Sequence, residues 1–269
     1  MDNLIGKTVV ITGAASGLGK ALATCLFKQG CNLALLDIDS IGLSNLHKLI
    51  SGNQQKISLH VVDISVEANI QQVCDEVFTI HTTVDILINN AAISISQTFE
   101  DVEIKDYHRL MDVNFWGTVY CTTYFLPYLK HTKGKLVNIV SDFALMGFPG
   151  KSTYSSSKAA IMAFTYCLKT ELAATGVTVS LVIPPPMNTD IVLNGKHISA
   201  KKRQNEMRFL QKNGMQLDNA ANRIVAKIKR GRFRIVVGGM MWGIDIMSRL
   251  FPTLTHKFIA SQKDTFDFV

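Results

Sequence analysis

Short apolar segments alternate with longer segments of helical character along most of this 269-residue chain. The short segments are rich in Val, Ile and Leu, which is typical of buried strands. Strands are predicted at residues 7–12, 32–36, 56–62, 84–88, 135–140, 177–183 and 233–237, and helices at 20–29, 41–50, 66–80, 104–129, 154–174 and 217–229. This alternation predicts an α/β fold in which one doubly wound parallel sheet organises a single domain, residues 1–269.

The first predicted strand leads into a glycine turn that is followed by a helix. The turn contains Gly13, Gly17 and Gly19, with Ser16 and Leu18 between them. Strand, glycine turn and helix are the context of a phosphate-binding loop, because glycines let the backbone approach a pyrophosphate and the helix N-terminus offers free N–H groups. The spacing GxxxGxG differs from the common GxGxxG, so a simple tight turn is the alternative interpretation.

The second predicted strand ends beside Asp37, which comes 18 residues after Gly19. A carboxylate about 20 residues after such a turn can accept hydrogen bonds from an adenosine ribose 2′-hydroxyl. It would repel a 2′-phosphate, and the residue that follows is Ile38 rather than an arginine. Together, the turn and the acid predict dinucleotide binding in a Rossmann-like sheet, with NAD preferred over NADP.

Tyr154 and Lys158 are four residues apart, so a helix places them one turn apart on the same face. A free tyrosine titrates near ~10, and a nearby ammonium group is expected to lower that pKa toward the range of a general acid or base. Ser141 follows the predicted strand at 135–140 and could donate to an oxygen on which charge develops. Such a pair also occurs on ordinary solvated helix faces. It indicates catalysis here because the glycine turn lies upstream of it.

The composition disfavours several classes of protein. The sequence has no run of about 18 apolar residues and no secretory signal pattern at its N-terminus. The five cysteines have no CxxC spacing and the seven histidines no HxxxH pair, so we expect buried thiols, a reducing cytoplasmic setting and no metal site. We find no nucleic-acid-binding motif and expect no nucleic-acid partner.

The net charge of +7 is concentrated near the C-terminus. Residues 1–195 carry 13 Lys/Arg and 16 Asp/Glu, a balance of −3, whereas residues 196–269 carry 15 and 5, a balance of +10. After three prolines at 184–186, the polar and basic segment 187–216 is interpreted as a mobile flap over the substrate side of the site.

The C-terminal tail, residues 239–269, begins with an apolar helical face beside a basic cluster. The face consists of Trp242, Ile246, Met247, Leu250 and Phe251, and the cluster of Lys227, Lys229, Arg230, Arg232 and Arg234. One interpretation is that the face packs on the domain or on a second subunit, in a homodimer or homotetramer. The other is peripheral contact with an anionic membrane, which would favour a lipophilic substrate.

Further motifs at strand ends complete a pattern that extends over most of the chain. In order, the motifs are Thr12-Gly13-xxx-Gly17-x-Gly19, Asp63, Asn89-Asn90-Ala91, Asn114, Ser141 and Tyr154-xxx-Lys158. In this order and spacing the chain resembles the short-chain dehydrogenase/reductases over roughly residues 5–240. The resemblance implies a nicotinamide cofactor and a catalytic set of Asn114, Ser141, Tyr154 and Lys158.

In the scheme that the resemblance implies, Tyr154 transfers the proton, and Lys158 lowers its pKa and holds the nicotinamide ribose hydroxyls. Ser141 orients the substrate oxygen, and Asn114 positions a water in a proton relay. Asp63 would face the adenine, and Asn89 would line the cofactor crevice. The residues expected to contact the cofactor are Gly13, Ser16, Gly17, Leu18, Gly19, Asp37, Asp63, Ile64, Asn90, Ala91, Tyr154, Lys158 and Thr189.

Two positions depart from the family pattern. Ala92 stands where the family usually has a glycine, and it would be strained if that position needs a positive φ. Pro184-Pro185 stands where the family usually has Pro-Gly, and Pro185 has no N–H to donate. Thr189 still falls where the family places a threonine beside the nicotinamide carboxamide.

The sequence therefore predicts an oxidoreductase that moves a hydride between NAD(H) and a secondary alcohol or ketone, with Tyr154 as general acid/base. The alternative class is a non-catalytic NAD-binding sensor or scaffold protein. The alternative substrate is a 3-oxoacyl group linked to an acyl carrier or coenzyme A and docked on the basic flap.

Overall fold

The computed structural model describes residues 3–50, 52 and 54–261, and its centre is a parallel sheet of seven strands. The strands of the chain are β1 (Thr8–Thr12), β2 (Asn32–Asp37), β3 (Ile57–Val61), β4 (Ile86–Asn89), β5 (Ile95–Ser96), β6 (Lys135–Ile139), β7 (Thr178–Ile183), β8 (Lys196–His197) and β9 (Arg234–Val236). The main sheet has the order β3-β2-β1-β4-β6-β7-β9, and β5 pairs separately with β8. The direction of winding reverses between β1 and β4, where such sheets bind ligands. The predicted doubly wound parallel sheet is confirmed.

Helices cover both faces of this sheet. One face is covered by α1 (Gly17–Lys28), α2 (Ser40–Ile50) and α9 (Leu217–Lys229), and the other by α3 (Glu67–His81), α5 (Gly117–Thr132) and α6 (Ser152–Glu171). The remaining helices are α4 (Ile104–Met111), α7 (Asp190–Leu193), α8 (Ala200–Asn213), α10 (Gly239–Leu250) and α11 (Pro252–Ser261). Within β1, Val9 and Ile11 join the first apolar core and Val10 joins the second. Because both faces of the sheet are covered there, the central strand β1 is buried along its whole length, whereas the edge strand β3 alternates between buried and exposed residues.

The helix predicted at 104–129 is interrupted. Asp112–Trp116 forms one π-helical turn between α4 and α5, and Asn114 is at its centre. Pro127 lies inside α5, which continues to Thr132. The interruption is therefore at Asn114 rather than at the proline, and widened turns of this kind are frequent at functional sites.

The segment interpreted as a flap, 187–216, consists largely of regular structure, namely α7, β8 and α8. Ser199 caps α8 by accepting a hydrogen bond from the backbone N–H of Lys202 at 3.2 Å, and good helix formers follow. The pairing of β8 with β5 ties this segment to the loop after β4. The flap is a helical cover over the C-terminal edge of the sheet.

Four of the five cysteines, Cys25, Cys31, Cys74 and Cys121, are buried free thiols. Cys167 is exposed, so the prediction of buried thiols is wrong for this residue. In sequence it lies between Thr165 and Leu168, which point into the core, but its own side chain is on the outer face of α6. Residues 262–269 of the predicted tail lie outside the described part of the chain.

Candidate active site

A crevice of about 550 Å³ lies at the C-terminal edge of the sheet, and its walls include residues that follow β1, β2, β3, β4, β6 and β7. The predicted site residues on its walls are Gly13, Ser16, Gly17, Leu18, Asp37, Asp63, Ile64, Asn90, Ala91, Ser141, Tyr154, Lys158 and Thr189. Gly19, Asn89 and Asn114 do not line it. The strand order therefore brings most of the predicted residues together, and these three contribute from behind the wall.

Close contacts in the glycine turn leave no room for side chains. Gly13 has a φ of +65°, and a Cβ at this position would lie 2.7 Å from the Cα of Ala91. A Cβ on Gly19 would lie 1.9 Å from the carbonyl oxygen of Gly13. Asn90 Nδ2 donates to the carbonyl oxygens of Thr12 at 3.0 Å and Gly13 at 3.1 Å. The turn is thus held against the end of β4, and Gly19 permits this packing from inside α1.

The N-terminus of α1 faces the crevice without a capping side chain. Ser16, its N-cap residue, makes no side-chain capping bond, and the first turn contains no acidic residue. Free N–H groups and the positive end of the helix dipole favour an anion such as a pyrophosphate. Thr189 lies next to this turn, since a Cβ on Gly17 would contact it at 3.4 Å. These features fit the diphosphate of a dinucleotide.

Asp37 is the last residue of β2 and contacts the glycine turn directly. Its Oδ2 accepts a hydrogen bond from Ala15 N at 2.9 Å, and its Oδ1 accepts one from Asp39 N at 3.0 Å. An ionised carboxylate has about four acceptor sites, so Asp37 can accept further bonds. Asp39 also lines the crevice, so this end of it carries two carboxylates. The cationic residues among the described walls are Arg109, Lys151 and Lys158.

Asp63, which follows β3, is held by two neighbours. Arg109 Nη2 lies 3.0 Å from its Oδ2, and the Ser65 hydroxyl donates to its Oδ1 at 2.6 Å. Burial opposes ionisation, but the hydrogen bonds from Ser65 and Arg109 outweigh it and keep the pKa of Asp63 below its ordinary value. Ile64 packs against Gly117 of α5, where a Cβ would lie 2.6 Å from the Ile64 Cδ1. Both wall residues are therefore fixed by neighbours, and the sequence did not reveal Arg109.

Tyr154, Ser141 and Lys158 form a polar cluster on one wall. The Ser141 hydroxyl donates to Asp142 Oδ1 at 2.8 Å, and Ser141 also hydrogen-bonds with Tyr154. Lys158 Nζ donates to the carbonyl oxygen of Ile139 at 3.1 Å and lies 5.7 Å from the centre of the Tyr154 ring. The first turn of α6 and the end of β6 thus place a phenol, a hydroxyl and an ammonium group together.

The protonation of this cluster differs from the prediction. Burial raises the pKa of Tyr154, the Asp142 carboxylate raises it further, and the hydrogen bond with Ser141 lowers it. Burial also lowers the pKa of Lys158 to about 8. The prediction that Lys158 brings the pKa of the phenol below its ordinary value is wrong for this structure, because desolvation penalises the charged form of both groups.

Asn114 and Asn89 support the site from within the fold. The Asn114 side chain accepts from Ile93 N at 2.8 Å and donates to the Ile93 carbonyl and to Ser157 Oγ, each at 3.0 Å. Asn89 Nδ2 donates to Asn138 Oδ1 on the neighbouring strand at 2.8 Å. The expectation that Asn89 lines the crevice is therefore wrong, because its side chain is used inside the sheet.

A buried charged cluster on the flap side of the crevice was missed by sequence reasoning. Lys151 Nζ lies 2.5 Å from Glu206 Oε1, and His197 Nε2 lies 3.1 Å from Glu206 Oε2. Burial opposes the ionisation of Glu206, but the contacts with His197 and Lys151 outweigh it and lower the pKa of Glu206 to about 2. Burial raises the pKa of Asp142. Two members of the cluster could have been found from the sequence, because Asp142 directly follows the predicted catalytic serine and Lys151 precedes the predicted catalytic tyrosine by three residues. Nothing in the sequence marked Glu206.

The fold accommodates both departures from the family pattern. Among the described residues, the non-glycine residues with a positive φ are Thr82 and Lys133, so Ala92 is not strained. Pro184 and Pro185 lie on the crevice wall.

The described residues contain no group of three or more His, Cys, Asp or Glu that could hold a metal ion. In the same part of the chain, no helix combines the length and the apolar character that crossing a membrane requires.

Comparison with known proteins gives close matches along the chain. The family model for short chain dehydrogenases matches residues 7–197. The putative oxidoreductase SadH of Mycobacterium tuberculosis (strain H37Rv) is 32% identical over 267 residues, which cover 97% of this chain and 96% of that protein. The 11-beta-hydroxysteroid dehydrogenase-like 6 of Arabidopsis thaliana is 34% identical over 268 residues, covering 96% of this chain and 77% of that protein.

Solved structures share the fold. A short chain dehydrogenase/reductase from Burkholderia phymatum in complex with NAD superposes with a TM-score of 0.85 at 23% identity, covering 95% of this chain and 97% of that one. A short chain dehydrogenase from Burkholderia cenocepacia in complex with NADP gives a TM-score of 0.80 at 23% identity, covering 96% and 99%. On the family match and the relatives that span nearly all of its length, the chain belongs to the short-chain dehydrogenase family of NAD(P)-dependent oxidoreductases.

Proposed function

We propose that this chain transfers a hydride between NAD(H) and a secondary alcohol or ketone, with Tyr154 as the general acid/base. The observation that carries the proposal is one crevice in which Tyr154, Ser141 and Lys158 share walls with the glycine turn and Asp37. In a doubly wound sheet a dinucleotide lies across the switch point, so binding at the turn directs its nicotinamide end toward the polar cluster. The bound nicotinamide supplies the hydride donor or acceptor.

Different walls of the crevice bind different parts of the cofactor in this proposal. The glycine turn and the N-terminus of α1 bind the diphosphate, and Asp37 accepts the adenosine ribose hydroxyls. The other proposed cofactor contacts are Asp63 and Ile64 at the adenine, Asn90 and Ala91 along the ribose and diphosphate, Thr189 at the carboxamide, and Lys158 at the nicotinamide ribose.

The polar cluster handles the substrate oxygen and its proton. The Ser141 hydroxyl, which donates to Asp142 in this structure, rotates to donate to the substrate oxygen, and the Tyr154 phenol donates its proton to that oxygen as the ketone is reduced. Lys158 favours the phenolate left behind. Burial raises the pKa of Tyr154, so the protonated phenol is the form that meets the substrate at neutral pH.

Asn114 enters the proton relay through its backbone. Its side-chain amide is used by Ile93 and Ser157, and its carbonyl oxygen accepts from the Thr118 hydroxyl at 2.8 Å. Because both N–H groups of the side-chain amide are used, we assign the relay water to the backbone of Asn114.

The cofactor is proposed to be NAD rather than NADP. Asp37 and Asp39 place two carboxylates where a 2′-phosphate would lie, and the described wall residues at that end include no cation from β2 or α2. Like charges in a shared site repel, so a 2′-phosphate is penalised.

The substrate is proposed to be a lipophilic ketone. The flap side of the crevice presents apolar side chains, among them Phe143, Met187, Val192, Phe209 and Leu210. The Arabidopsis relative is named as hydroxysteroid dehydrogenase-like, which points to the same class. A carrier-linked 3-oxoacyl group is the second candidate, favoured by the exposed basic residues of α8, such as Lys201, Arg208 and Lys212.

The test is a screen of purified protein with NADH and NADPH against cyclic and long-chain ketones, 3-oxoacyl thioesters and the matching alcohols, followed by cofactor absorbance. Turnover of lipophilic ketones with NADH is expected. Cofactor binding without turnover of any member would favour the sensor or scaffold alternative.

We further propose that the outer surface of α10 and α11 contacts a second copy of this chain. Trp242, Leu250 and Phe258 are 62%, 65% and 67% exposed on it. Within the basic cluster that suggested a membrane, Lys227 donates to the Val236 carbonyl at 2.6 Å, and Arg234 is paired with the buried Asp245. This internal use of cations favours a subunit contact over an anionic membrane.

A further inference from the structure

The flap side of the crevice contains a buried lysine that the chemistry above leaves without a role. Lys151 is 1% exposed, immediately precedes α6 and lines the crevice together with Tyr154. Phe143 is close to both residues, since its ring centre lies 5.6 Å from Lys151 Nζ and 6.1 Å from the centre of the Tyr154 ring. Lysines are almost never fully buried unless they are paired, so this position needs an explanation.

Lys151 has two acceptors in the described protein. Its Nζ lies 2.5 Å from Glu206 Oε1 and 2.5 Å from Ser96 Oγ. Glu206 is the only buried residue of α8, all of which is described, and its other oxygen is 3.1 Å from His197. The flap helix thus inserts a carboxylate that balances the charge of the lysine and fixes its position.

An ammonium group has three N–H donors, and Ser96 and Glu206 account for two of them. Near the third, the described structure offers the ring of Phe143, whose centre is 5.6 Å from Nζ, and the open space of the crevice. A buried donor left without an acceptor is costly. A ligand oxygen in the crevice would supply the missing acceptor.

The charges around Lys151 select the kind of oxygen. Glu206 neutralises the charge of the lysine, and the buried Asp142 carboxyl also favours the charged form of Lys151. A carboxylate ligand would add a negative charge beside these two acids, whereas a hydroxyl or carbonyl oxygen adds none. The cluster therefore fits an uncharged acceptor.

We propose that Lys151, held by Glu206 and Ser96, is a second substrate anchor that binds a hydroxyl or carbonyl oxygen remote from the reacting carbon. The preferred substrates are then uncharged ketones or alcohols that carry a second oxygen. This inference rests on the proposed function, in which the reacting oxygen is held by Tyr154 and Ser141.

The test uses NADH and three substrates that share one apolar skeleton: 2-decalone, 6-hydroxy-2-decalone and 6-oxodecalin-2-carboxylate. For the wild type we expect kcat/KM for the hydroxyketone to exceed that for decalone by about tenfold or more, the worth of one hydrogen bond to a charged donor. In the double variant K151M/E206M, which removes both members of the ion pair, the ratio should fall to about one.

Two further variants sharpen the test. Glu206→Gln leaves the lysine charge unbalanced, so kcat/KM for the oxo acid should rise relative to the hydroxyketone. The control is Lys196→Met, because Lys196 lies beside His197 but pairs outside the crevice with Asp106 at 2.5 Å. It should keep the wild-type ratio.

The anchor would be overturned if the ratio of kcat/KM for the hydroxyketone to that for decalone were the same in the wild type and in K151M/E206M. It would also be overturned if the wild type consumed decalone but showed a ratio near one. If the wild type consumes neither ketone, the proposed function fails for this class. The anchor is then judged by the melting temperature of the NADH-bound protein. A larger stabilisation by hydroxyketone than by decalone, lost in K151M/E206M, supports it, and equal stabilisation by the two ligands overturns it.

Discussion

Lys158 is a buried cation whose described contacts include the Ile139 carbonyl but no carboxylate partner. Burial holds its pKa at about 8 in the folded chain, below the value it has when unfolded. Between about pH 8 and ~10.5 the unfolded chain keeps a proton that the folded chain releases, so this group makes the protein more stable as the pH rises. Below about pH 8 the full cost of the buried charge is present.

Lys158→Met should therefore stabilise the fold while abolishing turnover, because an apolar side chain of similar length replaces a buried ion. We expect a gain of about 1 to 3 kcal/mol in the free energy of unfolding at pH 7, and a smaller gain at pH 10. Denaturant unfolding at both pH values measures it, with the exposed Lys130→Met as control. A loss of stability at pH 7 would contradict the assignment.

Asp37 is the residue proposed to select the cofactor, and its role is tested at the same scale. Asp37→Ala removes the charge next to the ribose, so the preference for NADH over NADPH should fall from about tenfold or more in kcat/KM toward one. Initial rates with both cofactors provide the measurement. Asp75→Ala, on the outer face of α3, serves as control, and an unchanged ratio in Asp37→Ala would place selectivity elsewhere.

At the scale of elements, α10 is held by one buried carboxylate between two arginines. Asp245 is 1% exposed and pairs with Arg234, which is mostly buried, and with Arg249, which is more than half exposed. Arg234→Ala should lower the free energy of unfolding by about 2 to 4 kcal/mol because it leaves the buried carboxylate short of its main partner. Arg249→Ala should cost less than about 1 kcal/mol, since an exposed pair is screened by water. Equal losses in urea unfolding would show that the two pairs are equivalent.

The elements also show what the sequence could and could not predict. The strands of the sheet and the helices that cover it could be predicted from the spacing of apolar residues and from the glycine turn. This was possible because the local spacing of apolar residues reflects which of them are buried. The helical flap was missed because Glu206 is the only buried residue of α8, so the helix has no apolar stripe to detect. The Lys151–Glu206 pair joins residues 55 positions apart, and no local pattern encodes such a contact.

At the scale of the whole molecule, the exposed surface of α10 and α11 predicts self-association. We favour substitution over truncation at Gly238, because truncation would remove the buried Met241 and Asp245. The triple variant W242S/L250S/F258S should shift the protein from an oligomer toward a monomer in analytical ultracentrifugation. The control I41S/F99S changes equally exposed apolar residues elsewhere.

The wild type is expected to bind neither anionic nor neutral vesicles at physiological salt. A monomeric wild type that co-sediments with anionic vesicles, and loses this in the triple variant, would contradict the subunit contact and restore the membrane interpretation.

The most direct test of the central claim is Tyr154→Phe, which removes the hydroxyl and keeps the ring. With a ketone from the screen and NADH, we expect kcat to fall by about a hundredfold or more, while the dissociation constant for NADH, measured by fluorescence, stays within about threefold of the wild type. Tyr107→Phe on α4 is the matched control and should keep both values. Turnover by Tyr154→Phe within about tenfold of the wild type would contradict the assignment of Tyr154 as the proton donor.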